Sequence, residues 1–587
     1  MTKSINKNEI TFKSFFEGDA DFQQYGPNAL GVFALSLYLR LEDLIEFATN
    51  SITDGFNDKK LDICYLNEEE GFLLLAQCYL SPNWKRKSAL ENKASDLSSA
   101  VAWLLSSSED DIPPGLKTKA FEARRALREG RLRKIEILYI HNCQESKNVE
   151  GQLKTVANAA KDIASSFLGD ENTTLSVSHR EMGINVIEEL FITRDSEILI
   201  EDWIEVPFQK FVEETGAEWK AVVASIPLSW VRRLYKLHGD RLFSANYRDY
   251  LGYVKREENI NYQIVTTAES EPQNFWVYNN GITALTYELK LGRKRKIRGI
   301  SIINGAQTTG ALEATKEQAA AKGKVLIRLV ECDSKDVVDR IIRYNNTQNE
   351  IKPADIRSND STQRHLKTEF EKFGIEYIHR RSSSRASRNS ISAAAVGPAL
   401  CAFHGDPQTA YRNSSSIFTE DKKYHEVFPE TTKAQHIFLI RMLSMAIDRI
   451  KAELKVKVSE KTATNLETNE YEVLKYSASK HFIFYIIGQL AEEILEKKVA
   501  NLHNWICIDG VVSQQNNSLL QAWEVTLRAL MPQITTAIQK RGEGAFYEVP
   551  RSIIMSREVA NELKGVIASL EPQLGPLFTD LRDRTRS

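Results

Sequence analysis

The sequence predicts an α/β multidomain protein whose C-terminal part is mainly helical. Over residues 1–218, short β-type apolar runs alternate with amphipathic helical stretches, a pattern typical of α/β units. From about Ala394 onward, long stretches with helical spacing take over. A chain of 587 residues is too long for one hydrophobic core, so we expect it to divide into several domains.

The first predicted domain, residues 1–110, holds a helix, a strand pair and a second helix. LYLRLEDLIEFATNSI has helical spacing, whereas LDICYL and FLLLAQCYL are β-type runs joined by the acidic turn NEEEG. SALENKASDLSSAVAWLLSS places Leu90, Leu97, Val101 and Leu104 on one helical face, so it predicts a long amphipathic helix.

Residues 111–218 are predicted to continue the alternation as a linking or sheet-completing domain. Its expected elements are the helix KAFEARRALREGR, the strand KIEILYIHN, the helix EGQLKTVANAAKDIASSFL, and the strands LSVSHR and EELFIT. Residues 219–393 are predicted to be a mixed α+β domain, and residues 394–587 a helical one. Polar residues interrupt the apolar stretch HFIFYIIGQLAEEIL well before the roughly 20 residues that a bilayer requires. We therefore expect a core helix there and no membrane partner.

Composition and charge exclude several classes of protein. The net charge is −2, so nucleic-acid contacts would have to come from local patches rather than a global basic field. The six cysteines show no paired spacing, which predicts a reducing, cytoplasmic setting with neither a disulfide scaffold nor a zinc ribbon. The N-terminus MTKSINKNEITF has no apolar segment, so no signal peptide is expected.

Three loops rich in Asn and Gln lie in the middle of the chain. They read FWVYNNGIT, INGAQTTGA and RYNNTQNEIKPADIRSND. Asn and Gln are costly to bury, so such loops usually bind something. The second loop follows the apolar run IRGISII and precedes a helical stretch, which predicts a strand, a Gly turn and a helix start with Thr308 and Thr309 placed to cap. Backbone N–H groups at a helix start attract phosphates.

These loops predict a shared polar site for a nucleic acid or a nucleotide. Asn304 and Gln307 could meet a base edge or a sugar, and the two threonines a phosphate. The candidate binding residues are Asn279, Asn280, Asn304, Gln307, Thr308, Thr309, Asn345, Asn346, Gln348 and Arg357. The alternative is structural: Asn and Gly favour turns, and the amides could pin the loops through bonds to the backbone.

The loops and their neighbours resemble the AIPR family, named for abortive phage infection resistance. The resemblance runs from roughly Trp219 to Arg381 and rests on LFSANYRDYLG, EPQNFWVYNNGIT, INGAQTT, NNTQ and SNDSTQRHL in the family's order. It implies a bacterial antiphage protein, often with a nuclease-like N-terminal region. A phage-derived trigger, a partner defence protein and a homo-oligomer are the partners that such a role would involve.

The segment TDGFNDKKLDICYLNEEEGFLLLAQCYL resembles the αβββαβ core of Mrr-like PD-(D/E)XK nucleases. The resemblance implies that Asp62 and Gln77, at the ends of adjacent strands, hold Mg²⁺ or Mn²⁺. A helix glutamate, Glu42 or Glu46, would be the third group. Oxygen ligands suit such a hard cation, which polarises the scissile phosphate and lowers the pKa of a bound water.

The chain departs from the nuclease pattern at Tyr79, where a lysine is expected. A phenol is neutral at pH 7 and cannot supply a positive charge. Lys85, Arg86 or Lys87, or Lys93 on the following helix, could reach in instead. The structural alternative is that Asp62 is an exposed strand-edge carboxylate and Gln77 a buried amide bonded to the backbone. The Gln-Cys-Tyr sequence would then mark a degenerate nuclease fold.

Local basic clusters could hold a nucleic-acid backbone, although a solvated face is the ordinary role of such runs. They are Lys85 to Lys87, Arg124 to Arg133, Arg293 to Arg298, and Arg380 and Arg381 with Arg385 and Arg388. The first hypothesis is a metal-dependent nuclease effector acting on DNA or RNA. The alternatives are a non-catalytic binding or trigger-sensing module, and a nucleotide-hydrolysing site in the central loops, for which no P-loop motif is present.

Overall fold

A computed structural model describes residues 10–41, 43–53, 60–84, 86–167, 175–193, 198–246, 258–345, 357, 360–379, 390–512 and 517–587. The chain forms two compact units, and each is made of two separate stretches of sequence. One unit comprises residues 1–20 and 184–351, and the other comprises residues 21–183 and 352–587. The described residues form a mixture of helices and several sheets, as the predicted α/β class requires. The division into four domains, with boundaries at 110, 218 and 393, stays a prediction, and these two units group the residues differently.

The N-terminal sheet of the second unit has four strands in the order β1-β2-β3-β4. They are β1 (Ile63–Asn67), β2 (Phe72–Tyr79), β3 (Lys134–His141) and β4 (Ser176–Met182). β1 and β2 form the predicted antiparallel hairpin, whereas β3 and β4 run parallel to β2. The predicted αβββαβ nuclease core has three consecutive strands after its first helix. At that place the described residues form only the β1–β2 hairpin and one isolated bridge between Ile52 and Ile63.

Helices cover this sheet because their apolar faces match its buried strands. The helices are Ala20–Gln23, Ala29–Leu39, Leu44–Ser51, Glu91–Leu105, Pro114–Arg128 and Lys147–Ser165. Leu97, Val101 and Leu104 are fully buried in one cluster with Leu73 and Leu75 of β2, which confirms the predicted amphipathic helix. The apolar periodicity thus fixes which face of Glu91–Leu105 meets the sheet.

The rest of the second unit is predominantly helical, as predicted for the C-terminal part. Its helices are Ser361–Lys372, Ala393–Phe403, Pro407–Arg412, Ser416–Thr419, Asp421–Val427, Ala434–Ser459, Asn465–Leu474, Ser479–Gln489, Ala491–Leu495, Ser518–Gln539, Ala545–Glu548, Ile553–Ser569 and Glu571–Asp583. Two small strand pairs join Glu376–Ile378 to Ser390–Ser392 and Ile506–Cys507 to Thr585–Arg586. Helix Ser479–Gln489, from the stretch HFIFYIIGQL, is buried as a core helix.

The first unit is built around a second, mixed sheet. Its strands are β5 (Ile200–Glu205), β6 (Phe211–Thr215), β7 (Trp219–Pro227), β8 (Ile282–Thr286), β9 (Glu288–Lys290), β10 (Lys296–Asn304) and β11 (Lys324–Cys332). The main order is β5-β10-β8-β11-β7-β6, with β8 and β11 parallel. The helices are Thr11–Gly18, Ile184–Ile192, Leu228–His238, Glu258–Ser270, Phe275–Tyr278, Ala306–Ala311, Glu317–Ala320 and Lys335–Asn345.

The prediction of a strand at EELFIT is wrong. The residues belong to helix Ile184–Ile192, which buries Ile184, Ile187, Leu190 and Phe191. These four positions follow a three-to-four residue spacing, and a short apolar run does not distinguish a strand from a helix when it is read alone.

Candidate functional site

The first two Asn/Gln-rich loops and the start of the third, at Asn345, lie together beside the second sheet. Asn279 Nδ2 donates a hydrogen bond to Thr308 Oγ1 at 3.0 Å, which joins the first loop to the second. Asn304 Nδ2 donates to the backbone carbonyl of Asn345 at 2.6 Å, which joins the second loop to the third. The structure thus brings together three segments that the sequence separates by many residues.

Two glycines allow the first and second loops to interlock. Gly281 and Gly305 have φ values of +89° and +91°, in the left-handed region that L side chains rarely adopt. A Cβ atom on Gly305 would lie 2.8 Å from the carbonyl oxygen of Gly281. A side chain at Gly305 would therefore push the two loops apart, and one at Gly281 would collide with Leu326 of β11.

Thr308 and Thr309 do not cap a helix, contrary to the sequence prediction. Helix Ala306–Ala311 begins after Gly305, and its N-cap makes no side-chain hydrogen bond. Thr308 and Thr309 are the third and fourth residues of this six-residue helix, and both are buried. The Thr309 hydroxyl donates back to the carbonyl of Gly305 at 2.9 Å. Their hydroxyls brace the loops through these internal hydrogen bonds.

Several amides also brace the loops, as the structural alternative expected. Asn279 Oδ1 accepts from the N–H of Gly281 at 2.9 Å, and Asn345 Nδ2 donates to the carbonyl of Ile341 at 2.8 Å. Asn280 and Asn304 are exposed, and Gln307 is half-buried. Asn346 and Gln348 lie outside the described residues. In the described residues, some amides of the loops are therefore held by internal hydrogen bonds, and others are exposed to solvent.

Exposed aromatic side chains adjoin the braced loops. Trp276 and Tyr278, three residues and one residue before Asn279, are 42% and 63% exposed, and Tyr344, directly before Asn345, is 55% exposed. The Trp276 indole N–H donates to Ser225 Oγ at 3.0 Å, which fixes its ring. Sequence reasoning missed these aromatics, although the run FWVY directly before Asn279 was the available signal. Aromatic faces beside polar loops can stack on bases.

The hairpin of the N-terminal sheet places Asp62 beside Gln77. Asp62 Oδ2 accepts a hydrogen bond from the backbone N–H of Cys78 on β2 at 2.6 Å. The backbone N–H of Asp62 donates to the carbonyl of Ala76 at 3.1 Å. Gln77, between these two residues, is 3% exposed, and its Oε1 has no hydrogen-bond partner in the described part of the chain.

Two cations gather on Tyr79, at the position where the nuclease pattern has lysine. Arg86 Nη1 donates to the Tyr79 hydroxyl at 2.9 Å. Lys93 Nζ, on helix Glu91–Leu105, lies 5.2 Å from the centre of the Tyr79 ring. Lys87 is exposed, and Lys85 lies outside the described residues.

Polar residues of β3 and β4 extend the row that Gln77 begins. Gln77 is in register with Tyr139 on β3, and Tyr139 with Glu181 on β4. His141 Nε2 donates to Glu181 Oε1 at 3.0 Å, while His141 Nδ1 accepts from the N–H of Cys143. Both side chains are buried. The sequence reasoning missed this pair because the two residues are far apart along the chain.

Glu46 contacts a different group of residues. Its carboxylate pairs with Lys480 Nζ at 2.9 Å, and the same ammonium pairs with Asp448 at 2.8 Å. Asp43 nearby accepts from Arg441. Burial raises the pKa of Asp448 to about 6. Glu46 is thus part of an ion network with the C-terminal helices, and Glu42, the other candidate, lies outside the described residues.

The donor set at the hairpin fits a hard cation. Asp62 supplies a carboxylate, and the buried amide oxygen of Gln77 is an acceptor without a donor. Mg²⁺ commonly binds one or two protein carboxylates and completes its octahedron with water and substrate phosphate. Asp62 and Gln77 are therefore the residues that would hold such an ion here.

One of the predicted basic clusters, Arg124 to Arg133, is partly engaged within the protein. Arg124 is buried and donates to the carbonyl of Leu104, and Arg125 pairs with Glu129 and Glu548. Arg293 and Lys294 lie in the turn between β9 and β10, a charged hairpin tip as the alternative expected.

Arg357 braces the C-terminal part. It donates to the carbonyl of Phe418 and pairs with Asp421 at 2.6 Å. Arg380 and Arg381 lie outside the described residues.

The described residues define a two-unit α/β protein with braced asparagine loops in one unit and a mixed four-stranded sheet in the other. A family model with the description AIPR protein matches residues 243–541, just over half of the chain. The chain therefore belongs to the AIPR family, and this membership suggests a role in abortive-infection defence against phage. Searches of curated proteins and of solved structures returned no match. Across the described ranges, no helix has the length and apolar character needed to cross a bilayer.

Proposed function

We propose that the protein is an abortive-infection effector that cleaves DNA or RNA in a metal-dependent step at its N-terminal sheet. The observation that carries the proposal is the placement of Asp62 against β2 beside Gln77, with two cations on the neighbouring Tyr79. A carboxylate, an unpartnered amide oxygen and nearby positive charge are the groups that phosphodiester hydrolysis uses.

Each residue has a definite task in this proposal. Asp62 and Gln77 would hold Mg²⁺ or Mn²⁺, which supplies Lewis-acid stabilisation of the scissile phosphate. Lys93 would provide the positive charge that Tyr79 cannot, because a phenol side chain has no cationic form. Arg86, bonded to the Tyr79 hydroxyl, fixes the ring over which Lys93 lies. Tyr79 is then a positioning residue for a cation that has moved to the following helix.

The test is cleavage of plasmid DNA and of RNA by the full chain with Mg²⁺, with Mn²⁺ and with a chelator. We expect Asp62→Asn to lower the rate by about 10²-fold or more, since it removes the anionic ligand. We expect Lys93→Met to lower it by about 10²-fold and Lys93→Arg to retain most of it. Asp110→Asn, an exposed aspartate in the loop before helix Pro114–Arg128, is the control. Metal-dependent cleavage that Asp62→Asn leaves intact would refute the assignment.

The second candidate function is recognition of a nucleic acid by the braced loops. Its support is the exposed pair Trp276 and Tyr278 beside Asn280 and Gln307. Stacking of a base on an aromatic ring contributes about 1–3 kcal/mol. Trp276→Ala should therefore weaken single-strand binding by about tenfold or more, measured by fluorescence anisotropy. The control is Trp203→Ala, since Trp203 is also 42% exposed and lies on β5. Equal binding by both variants would exclude stacking on Trp276.

Both candidates together describe one protein with an effector part and a recognition part. If no cleavage is found but binding is retained by Asp62→Asn, the non-catalytic alternative is favoured. A nucleotide-hydrolysing site in the loops is disfavoured, because Thr308 and Thr309 are buried and bonded internally. Thermal stabilisation by ATP or GTP would support a nucleotide site after all, since a ligand at 100 times its dissociation constant adds about 2.7 kcal/mol to the unfolding free energy.

A further inference from the structure

Three histidines from separate segments converge in the helical part of the second unit. His404 follows helix Ala393–Phe403, His436 lies near the start of helix Ala434–Ser459, and His503 lies in the short turn Leu502–Asn504. One ring nitrogen of each lies within 4.8 Å of the other two. The Nε2 atoms of His404 and His436 are 3.0 Å apart, and the rings of His404 and His503 stack at 3.7 Å.

Backbone groups fix two of the rings in the form that a metal ion requires. His436 Nδ1 donates to the carbonyl of Trp505 at 2.7 Å, so its Nε2 carries the lone pair. His503 makes a hydrogen bond with the backbone of Glu426, and its buried Nδ1 has no partner in the described part of the chain. A ligating histidine usually donates its other N–H to a carbonyl or carboxylate in this way.

The three rings lie in a partly apolar setting, in which His436 is buried and His404 and His503 are half-buried. The aromatic rings of Phe403 and Trp505 pack around the cluster. Neutral imidazoles offer their lone pairs to a cation without first losing a proton to solvent.

We propose that His404, His436 and His503 bind one Zn²⁺ ion. Zn²⁺ prefers imidazole nitrogen at about 2.0–2.1 Å in a tetrahedron, which places ligand nitrogens about 3.3 Å apart. The 3.0 Å separation of His404 from His436 is close to that spacing. The His503 ring is stacked on His404 with an interplanar angle of 13°, so it would have to turn for its in-plane lone pair to point at the same ion. The ion would displace the hydrogen bond between these two rings, and His404 would then carry its proton on Nδ1. A water molecule or an incoming ligand would take the fourth position.

The proposed ion ties together three segments that all lie within the family-model match. Residues 404, 436 and 503 fall inside the matched range 243–541. The site is separate from the proposed nuclease centre, which uses the oxygen donors Asp62 and Gln77. Nitrogen donors select a borderline transition ion rather than Mg²⁺. The ion would therefore stabilise the helical part whether or not the protein cleaves nucleic acid.

The experiment is titration of the chelator-treated full chain with Co²⁺, followed by competition with Zn²⁺. We expect tetrahedral Co²⁺ absorption, one equivalent per chain and a Zn²⁺ dissociation constant below about 1 μM. His503→Ala removes the least buried ligand and should weaken binding by about 100-fold or more, as should His404→Gln. His425→Gln is the matched control, because His425 is exposed on the neighbouring helix Asp421–Val427.

Two results would overturn the proposal. One is a wild-type chain that binds neither Co²⁺ nor Zn²⁺, a measurement that does not depend on how any variant folds. The other is a His503→Ala variant with native helical circular dichroism and unchanged affinity. The Asp62→Asn variant should retain the Zn²⁺ site in full, which separates this proposal from the nuclease assignment.

Discussion

The Arg551→Met substitution tests whether a buried ion pair couples the C-terminal helices to the helices of the N-terminal sheet. Arg551 Nη2 lies 3.0 Å from Glu122 Oε1, and the two side chains are 5% and 0% exposed. The same nitrogen donates to the hydroxyls of Tyr411 and Ser477 at 3.1 and 3.0 Å. The Arg551 guanidinium also lies 3.7 Å from the centre of the Tyr547 ring.

The expected cost follows from the charge that the substitution leaves behind. Burial alone would raise the pKa of Glu122, but Lys119, Arg551 and Ser477 hold it below its ordinary value, so the carboxylate is charged at pH 7. Removal of Arg551 leaves this fully buried charge without its closest cation. Breaking a buried pair from one side costs about 3–5 kcal/mol.

The assay is urea unfolding at pH 7, followed by the fluorescence of the buried Trp505 and Trp523. Arg125→Met is the control, because Arg125 is one-third exposed and pairs with Glu548 at the surface. Such exposed pairs contribute about 0–1 kcal/mol. The double variant Glu122→Gln/Arg551→Met should recover most of the loss, since the Glu122 charge is then removed and Glu68, the other carboxylate near Arg551, keeps its ion pair with Arg131. An Arg551→Met variant as stable as Arg125→Met would refute the reasoning.

The remaining predictions concern backbone fit and proton binding. Gly305→Ala should lower the unfolding free energy by about 1–3 kcal/mol, because its φ is positive and a Cβ would meet the Gly281 carbonyl; Gly292→Ala, in open space, is the control in the same denaturation assay. Burial lowers the pKa of His481 to about 4, so between pH 6.5 and 4 the unfolded chain binds a proton that the folded chain does not. The unfolding free energy of the wild type therefore decreases as pH falls. Between pH 7 and 5, the unfolding free energy of His481→Gln should decrease by about 2 kcal/mol less than that of the wild type, measured by urea unfolding. The lowered pKa of Glu122 also makes the folded state less stable as pH falls. The stability that the charged carboxylate contributes is complete above about pH 4.3 and is lost at lower pH. Urea unfolding midpoints measured against pH should therefore fall less in Glu122→Gln than in wild type.

Local patterns in the sequence predicted many of the elements because each depends on neighbouring residues. The apolar spacing of Leu97, Val101 and Leu104 gave the helix and its buried face, and the NEEEG turn gave the β1–β2 hairpin. The prediction of a strand at EELFIT was wrong because so short an apolar run does not show whether its period is that of a helix or of a strand.

The candidate sites were only partly predictable. The sequence allowed us to choose Asp62, Gln77 and the asparagine loops as candidates, because burying such polar side chains costs free energy unless they have hydrogen-bond partners or ligands. The roles of Thr308, Glu46 and Arg357 could not, since each depends on the partner that folding supplies: Asn279, Lys480 and Asp421 respectively.

The sequence by itself determined the α/β class, the helical C-terminal part and membership of the AIPR family. These are encoded in periodicity and in ordered motifs, which are properties of contiguous residues. The tertiary structure decided which distant residues meet. It placed Lys93 over Tyr79 and joined Asn304 to Asn345. It also gathered His404, His436 and His503 into one cluster. Such contacts depend on packing between elements far apart in the chain, and no local pattern specifies them.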